Sequence, residues 1–282
     1  MAQLEFAETA LVLIGHGSTL NAESAKPVYQ HAAELRRRGQ FAEVREAFWK
    51  QEPQIDAVLE SLAFPQAFIV PIFVSDGFFS EDTIPRALGF QRTKAGDLLR
   101  VQRQELRTLI YCKAIGSHDS MTAVLLARAR QVVEKSPFPR APKSRETTLF
   151  ICGHGTDQNE NSRVAIERQV QLIRGLDLYA GVHAVFLEEE PRVQSCYEMA
   201  GTRNIIVVPF FISDGLHTQE DIPVMLGEPK RLVQQRLTAG QPTWHNPTER
   251  KSKLVWYSSS IGSEPHIPDV IIERVREAAK WI

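Results

Sequence analysis

Short apolar runs alternate along this chain with longer segments in which apolar residues return every three or four positions. The runs are ALVLIG, VREAFW, AFIVPIFV and LIYCKAIG in the first half, and TLFICG, VHAVFL, IIVVPFFI and LVWYSSSIG in the second. Between them lie amphipathic stretches such as SAKPVYQHAAELRRR, IDAVLESL and SMTAVLLARARQVVEK. Strand-length runs answered by helix-length periodic segments are the signature of parallel strands joined by crossover helices. The pattern predicts an α/β protein of two similar lobes, each a four-stranded parallel sheet flanked by helices.

The two halves are copies of one another. Aligned without a gap at an offset of 138, Leu11–Gly89 and Leu149–Gly227 share 23 identities in 79 positions. The match resumes at an offset of 146, where AIGSHDSMTAVLLARARQVVEK resembles SIGSEPHIPDVIIERVREAAK, so the second half carries eight extra residues around AGQPTWHNPTERK. Self-similarity on this scale marks an internal duplication. The Pro- and charge-rich SPFPRAPKSRE at 136–146 reads as a linker. The expected domains are therefore an N-terminal lobe over 1–140 and a C-terminal lobe over 141–282.

Charge and composition remove several function classes. A net charge of −1 and a pI near 6.7 leave no electrostatic footprint for nucleic acid or an anionic membrane. No apolar run approaches the roughly 18 residues of a membrane span, and MAQLEFAETA lacks the regions of a signal peptide. A soluble, cytoplasmic protein is expected. Cys112, Cys152 and Cys196 are odd in number and far apart, and are read as core thiols. Neither a G-x-x-x-x-G-K-[ST] nor a G-x-G-x-x-G phosphate loop occurs, so no nucleotide is expected.

The candidate chemistry sits at strand ends, where open parallel sheets bind ligands. LVLIGHGS and LFICGHGT each place a histidine between two glycines just after a strand: Gly15-His16-Gly17 and Gly153-His154-Gly155. Glycine there allows a tight turn and close approach of backbone to a ligand. Asn21 or Ser24, and Asn159 or Ser162, are candidates to cap the helices that follow. At the next common strand end, SDGFFSEDTIP meets SDGLHTQEDIP, and Phe79 stands where the second half has His217. The remaining strand end reads WKQEP in the first half and LEEEP in the second, so Glu188 and Glu189 replace Lys50 and Gln51, while Glu190 matches Glu52. Two imidazoles and a carboxylate can hold a divalent transition metal or move protons near neutral pH. The second lobe has that set and the first a depleted copy. His31, His183, His245 and His266 lack a strand-end partner and are read as surface residues.

These motifs, GHGT after a strand, the FLE…EP strand end and VPFFISDGLHTQEDIP, resemble the class II chelatases that insert a metal into sirohydrochlorin, and the resemblance covers almost the whole chain. It implies the long, two-lobe cobaltochelatase type, with His154, His217 and a strand-end glutamate as metal-binding and catalytic groups. The family usually has three residues between that glutamate and its proline, whereas here two separate Glu188 from Pro191. Glu188 is therefore favoured, with Glu190 second and Glu189 open. Gly15, His16, Gly17, Gly153 and Gly155 become candidate contacts to the ring, whose carboxylates suit helix N-termini. A cleft between the lobes is the expected slot. The implied metal substrate is Co2+, with Ni2+ or Fe2+ as alternatives. The implied state is a monomer, with a homo-oligomer as the alternative. A ferro- or nickelochelatase, or a tetrapyrrole or metal carrier without turnover, are the competing readings. A histidine phosphohydrolase fits less well, because glycines rather than phosphate-binding arginines precede both histidines.

Overall fold

The first apolar run becomes β1 (Phe6–Gly15), whose residues from Thr9 onward are buried without interruption. A parallel strand covered on both faces has no solvated side, which is why its sequence is a continuous apolar run. The computed structural model describes residues 6–19, 21–104, 107–155 and 161–282. From β1 the chain passes through α1 (Lys26–Arg38), β2 (Phe41–Phe48), α2 (Ile55–Glu60), β3 (Gln66–Pro71), α3 (Ile84–Ala87), β4 (Val101–Arg103) and β5 (Thr108–Tyr111). After α4 (Met121–Lys135) the pattern repeats as β6 (Thr147–Gly153), α5 (Asn161–Gly175), β7 (Gly181–Phe186), α6 (Cys196–Met199), β8 (Asn204–Pro209) and α7 (Ile222–Met225). The chain then adds α8 (Lys230–Thr238), β9 (Thr248–Arg250), β10 (Lys253–Tyr257) and α9 (Ile267–Ala278).

The strands form two sheets of one topology, β2-β1-β3-β5-β4 and β7-β6-β8-β10-β9. Each has five strands rather than the expected four. The fifth is a three-residue antiparallel edge: β4 pairs Val101, Gln102 and Arg103 with Ile110, Leu109 and Thr108, and β9 pairs with β10 likewise. VQR and TER contain no apolar run, so hydrophobic patterning does not reveal them, and their charges suit an edge that must not recruit further strands.

Contacts divide the chain into one unit of 1–120 with 265–282 and another of 121–264, not at the linker. The amphipathic helix at the end of each half thus belongs to the unit built from the other half. In the second unit α4 packs on β8 and β10, and buried Arg128 donates from Nε to Ser260 O at 2.9 Å and from a terminal nitrogen to Ser263 Oγ at 2.7 Å. In the first, α9 packs on β3, and buried Arg274 makes the same pair of bonds to Ala114 O and Ser117 Oγ. A buried guanidinium is tolerated only where such acceptors meet it.

Two smaller expectations resolve inside this frame. All three cysteines are buried and free, and burial pushes the Cys196 thiol up to about 12, far from a reactive thiolate. His31, in contrast, is not a surface residue: it shares the stripe of Val28, Ala32 and Leu35 on α1 and is 1% exposed. Among the described residues no helix is long and apolar enough to cross a membrane.

Candidate metal-handling site

In each sheet the chain runs from its first strand outward to one side and returns to add its third strand on the other. The loops leaving the first and third strands therefore part at a topological switch point, the usual ligand crevice of open α/β sheets. In the second unit these loops carry His154, directly after β6, and His217, beyond β8. Their rings meet edge to face, with centroids 4.8 Å apart and planes at 86°.

The residues around His154 explain its placement. A Cβ on Gly153 would lie 2.0 Å from Ile166 Cδ1, so glycine lets α5 pack against the end of β6. Gly155 has φ +70°, and a Cβ there would lie 2.5 Å from Glu189 Cγ. These glycines, with Gly15 and Gly17 as their counterparts, thus have packing and turn duties of their own. The His154 Nδ1 lies 2.7 Å from Gly155 O. A carbonyl only accepts, so Nδ1 carries the proton and Nε2 keeps its lone pair.

His217 opens a π-helical turn, His217–Asp221. Thr218 Oγ1 accepts from Gly215 N at 2.9 Å, and the buried Tyr257 hydroxyl donates to Thr218 O at 2.6 Å, pinning the turn to β10. His217 Nδ1 lies 2.8 Å from Asp221 Oδ2. The carboxylate accepts from Nδ1–H and again leaves Nε2 free, the arrangement that orients metal-binding imidazoles. Asp221 was not among the sequence candidates, although its i, i+4 spacing from His217 is the available signal.

The three glutamates after β7 separate cleanly. Backbone bonds from Leu187 N to Gly153 O and from Glu188 N to His154 O hold this turn beside the histidine. The Glu188 carboxylate lies 3.6 Å from His154 Nδ1, and its side chain is 57% exposed, against 37% for His154 and 48% for His217. Glu189 is 18% exposed and clamped by Arg163 at 2.8 and 2.9 Å. That hydrogen-bonded carboxylate pushes the Arg163 pKa up. Glu190 accepts from Arg192 N at 3.0 Å, a turn-capping role, and does not join the imidazoles. Among the described residues no three His, Cys, Asp or Glu side chains form a compact metal cluster. What the site offers is two oriented Nε2 atoms with one exposed carboxylate alongside. A cavity of about 300 Å³ opens next to it, lined by Leu187, Glu188, His217, Asp221, Met225 and Lys230 among others.

The first unit repeats the geometry without the chemistry. His16 Nδ1 lies 2.9 Å from Gly17 O, and its ring meets Phe79 edge to face at 4.9 Å and 89°. Lys50 N donates to His16 O at 2.9 Å, but its side chain is a cation where Glu188 is an anion. Gln51 Oε1 accepts from Ser18 N, and Glu52 accepts from Gln54 N as Glu190 does from Arg192 N. Asn21 Oδ1 accepts from Glu23 N, capping a short 3-10 turn before α1, whereas Asn159 lies outside the described residues.

This fold and site define a duplicated chelatase-like protein. The CbiX family model matches twice, over residues 10–132 and 148–278, and the chain belongs to that family. It is 39% identical over 279 residues to a protein of Halobacterium salinarum named a probable sirohydrochlorin cobaltochelatase, covering 95% of this chain and 91% of that one. A sirohydrochlorin cobaltochelatase of Methanopyrus kandleri is 30% identical over 138 residues, which is 46% of this chain and 95% of its own length. Among solved structures, a multi-domain Deinococcus radiodurans protein described as similar to chelatases superposes with a TM-score of 0.76 at 26% identity, covering 97% of this chain. The match spans only 55% of that protein. SirB from Bacillus subtilis, solved with Fe3+, shares the fold with a TM-score of 0.67 at 18% identity, covering 96% of both chains.

Proposed function

We propose that the protein inserts a divalent metal, cobalt first among the candidates, into sirohydrochlorin without a nucleotide. The observation that carries this reading is the pair of imidazoles meeting at 4.8 Å with both Nδ1 atoms engaged, one by Gly155 O and one by Asp221. Both Nε2 lone pairs are then available for the incoming ion, while Glu188 stands beside His154 to receive protons. Insertion replaces two pyrrole N–H protons by one M2+, so a site needs both metal donors and a proton acceptor on one side of the ring. His154 and His217 deliver the ion; Glu188, the most exposed of the three groups, takes up the two released protons in turn and passes each to water. The 39% identity to the Halobacterium protein supports the tetrapyrrole substrate and favours cobalt. Imidazole and carboxylate donors also accept Ni(II) and Fe(II), so the choice of ion reflects supply as well as affinity. The three free, buried cysteines suit a reducing cytoplasm.

The test is a purified assay with sirohydrochlorin, Co(II) and no ATP, followed by the visible spectrum. Many turnovers per chain are expected. A spectral change that stops at one equivalent identifies a carrier, and a strict ATP requirement would overturn the reading.

A further inference from the structure

Lobe two contains an arginine that lobe one lacks. Arg163 on α5 aligns with Ala25, and its guanidinium reaches across to the acidic turn after β7. It grips Glu189 Oε2 from Nε at 2.9 Å and from a terminal nitrogen at 2.8 Å. The same terminal nitrogen donates to Glu190 O, while the other bonds Glu167 at 3.1 Å. The guanidinium carbon lies 4.5 Å from the centre of the Phe186 ring, the last residue of β7. One side chain therefore ties the helix after His154 to the strand end before Glu188.

The first unit shows what the same turn needs when it carries no such acid. Gln51, the counterpart of Glu189, is neutral and bonds a backbone N–H, and Ala25 stands at the position of Arg163. Replacing glutamine by glutamate puts a second, largely buried carboxylate against Gly155, and burial of an unpaired charge is costly. A lysine could supply charge but not a planar fork that holds a carboxylate and a carbonyl together.

We infer that Arg163 is a positioning residue for metal handling: it neutralises Glu189 and fixes the 188–190 turn, so that Glu188 alone is presented to His154. This rests on the proposed chelatase reading. It is tested with the full chain by titrating Co(II) in the absence of tetrapyrrole, alongside turnover with sirohydrochlorin. R163A is expected to weaken cobalt binding about 10–100-fold, the usual cost of losing an outer partner of a metal site. Its kcat should fall while KM for sirohydrochlorin holds, because the guanidinium is engaged by Glu189, Glu190 O and Glu167 and acts through them. R163A/E189Q recreates the Ala25–Gln51 pairing and should regain most of the cobalt affinity. If Arg163 served only to pack on Phe186, the double variant would be as weak as the single one, and that result overturns the inference. Wild-type cobalt affinity in R163A overturns it too. Should R163A fail to fold, the double variant decides by itself, with near wild-type affinity supporting the inference and lost affinity ending it. A wild-type chain that neither binds nor inserts cobalt defeats the functional reading and this inference together, whereas an active wild type with an indifferent R163A defeats the inference alone.

Discussion

The two sheet ends of this molecule hold nearly the same pair of rings in the same pose, 4.9 Å and 89° for His16 with Phe79, 4.8 Å and 86° for His154 with His217. The backbone at one topological switch point sets that geometry, and the side chains decide whether it means anything chemically. Around the second pair everything that serves an imidazole is present: Asp221 on His217, Glu188 beside His154, Arg163 on Glu189. Around the first pair the same positions hold Thr83, Lys50 and Ala25. A duplicated fold thus separates what the architecture provides from what the residues add.

The largest effect should come from making the second site resemble the first. His217→Phe keeps an aromatic ring in place and removes one Nε2, and turnover is expected to drop about 10²–10⁴-fold, the range for losing a proton-handling or metal-binding group. Activity within a few-fold of wild type would assign the chemistry elsewhere. The converse exchange, Phe79→His with Thr83→Asp and Lys50→Glu, should raise cobalt bound at saturation from one ion per chain toward two, as measured by equilibrium dialysis. An unchanged stoichiometry would show that the second unit contributes more than these three positions.

A smaller loss is expected from Asp221→Asn, which keeps the shape but offers Nδ1 a weaker acceptor. Cobalt affinity should fall about 10–100-fold by titration. The smallest effect tests a position where the units agree. Glu190→Gln and Glu52→Gln each weaken one side-chain bond to a turn N–H, and each should cost about 1 kcal/mol or less in denaturant unfolding. Turnover should survive Glu190→Gln; its loss would return that carboxylate to the candidate ligands.

The sequence made the parallel strands, the duplication and the histidine pair legible because each follows from local pattern: apolar runs, a fixed offset, a histidine just past a strand. The edge strands β4 and β9 were not, since three-residue, mostly polar segments gain their conformation from the neighbouring strand rather than from their own composition. Arg163 reads locally as one more charge on an amphipathic helix, and its meaning arises from a carboxylate 26 positions away. Choosing among Glu188, Glu189 and Glu190 likewise required knowing which of them already had partners. His31, with no partner at a strand end, reads as a surface residue, yet the helical period places it on the buried stripe of α1.

The exchange of terminal helices bears on how the molecule is made. The unit with the imidazole pair is one uninterrupted stretch, 121–264, whereas the other joins 1–120 to 265–282 and lacks its covering helix until that later segment is synthesised. At about 5–20 residues per second, the first sheet waits on the order of ten seconds with the face of β3 that α9 will cover still open. The half translated first is therefore the last to be finished. A gene fragment ending at the linker would carry α4 without its sheet and the first sheet without α9, so two half-length genes would need to be expressed together to give either unit whole.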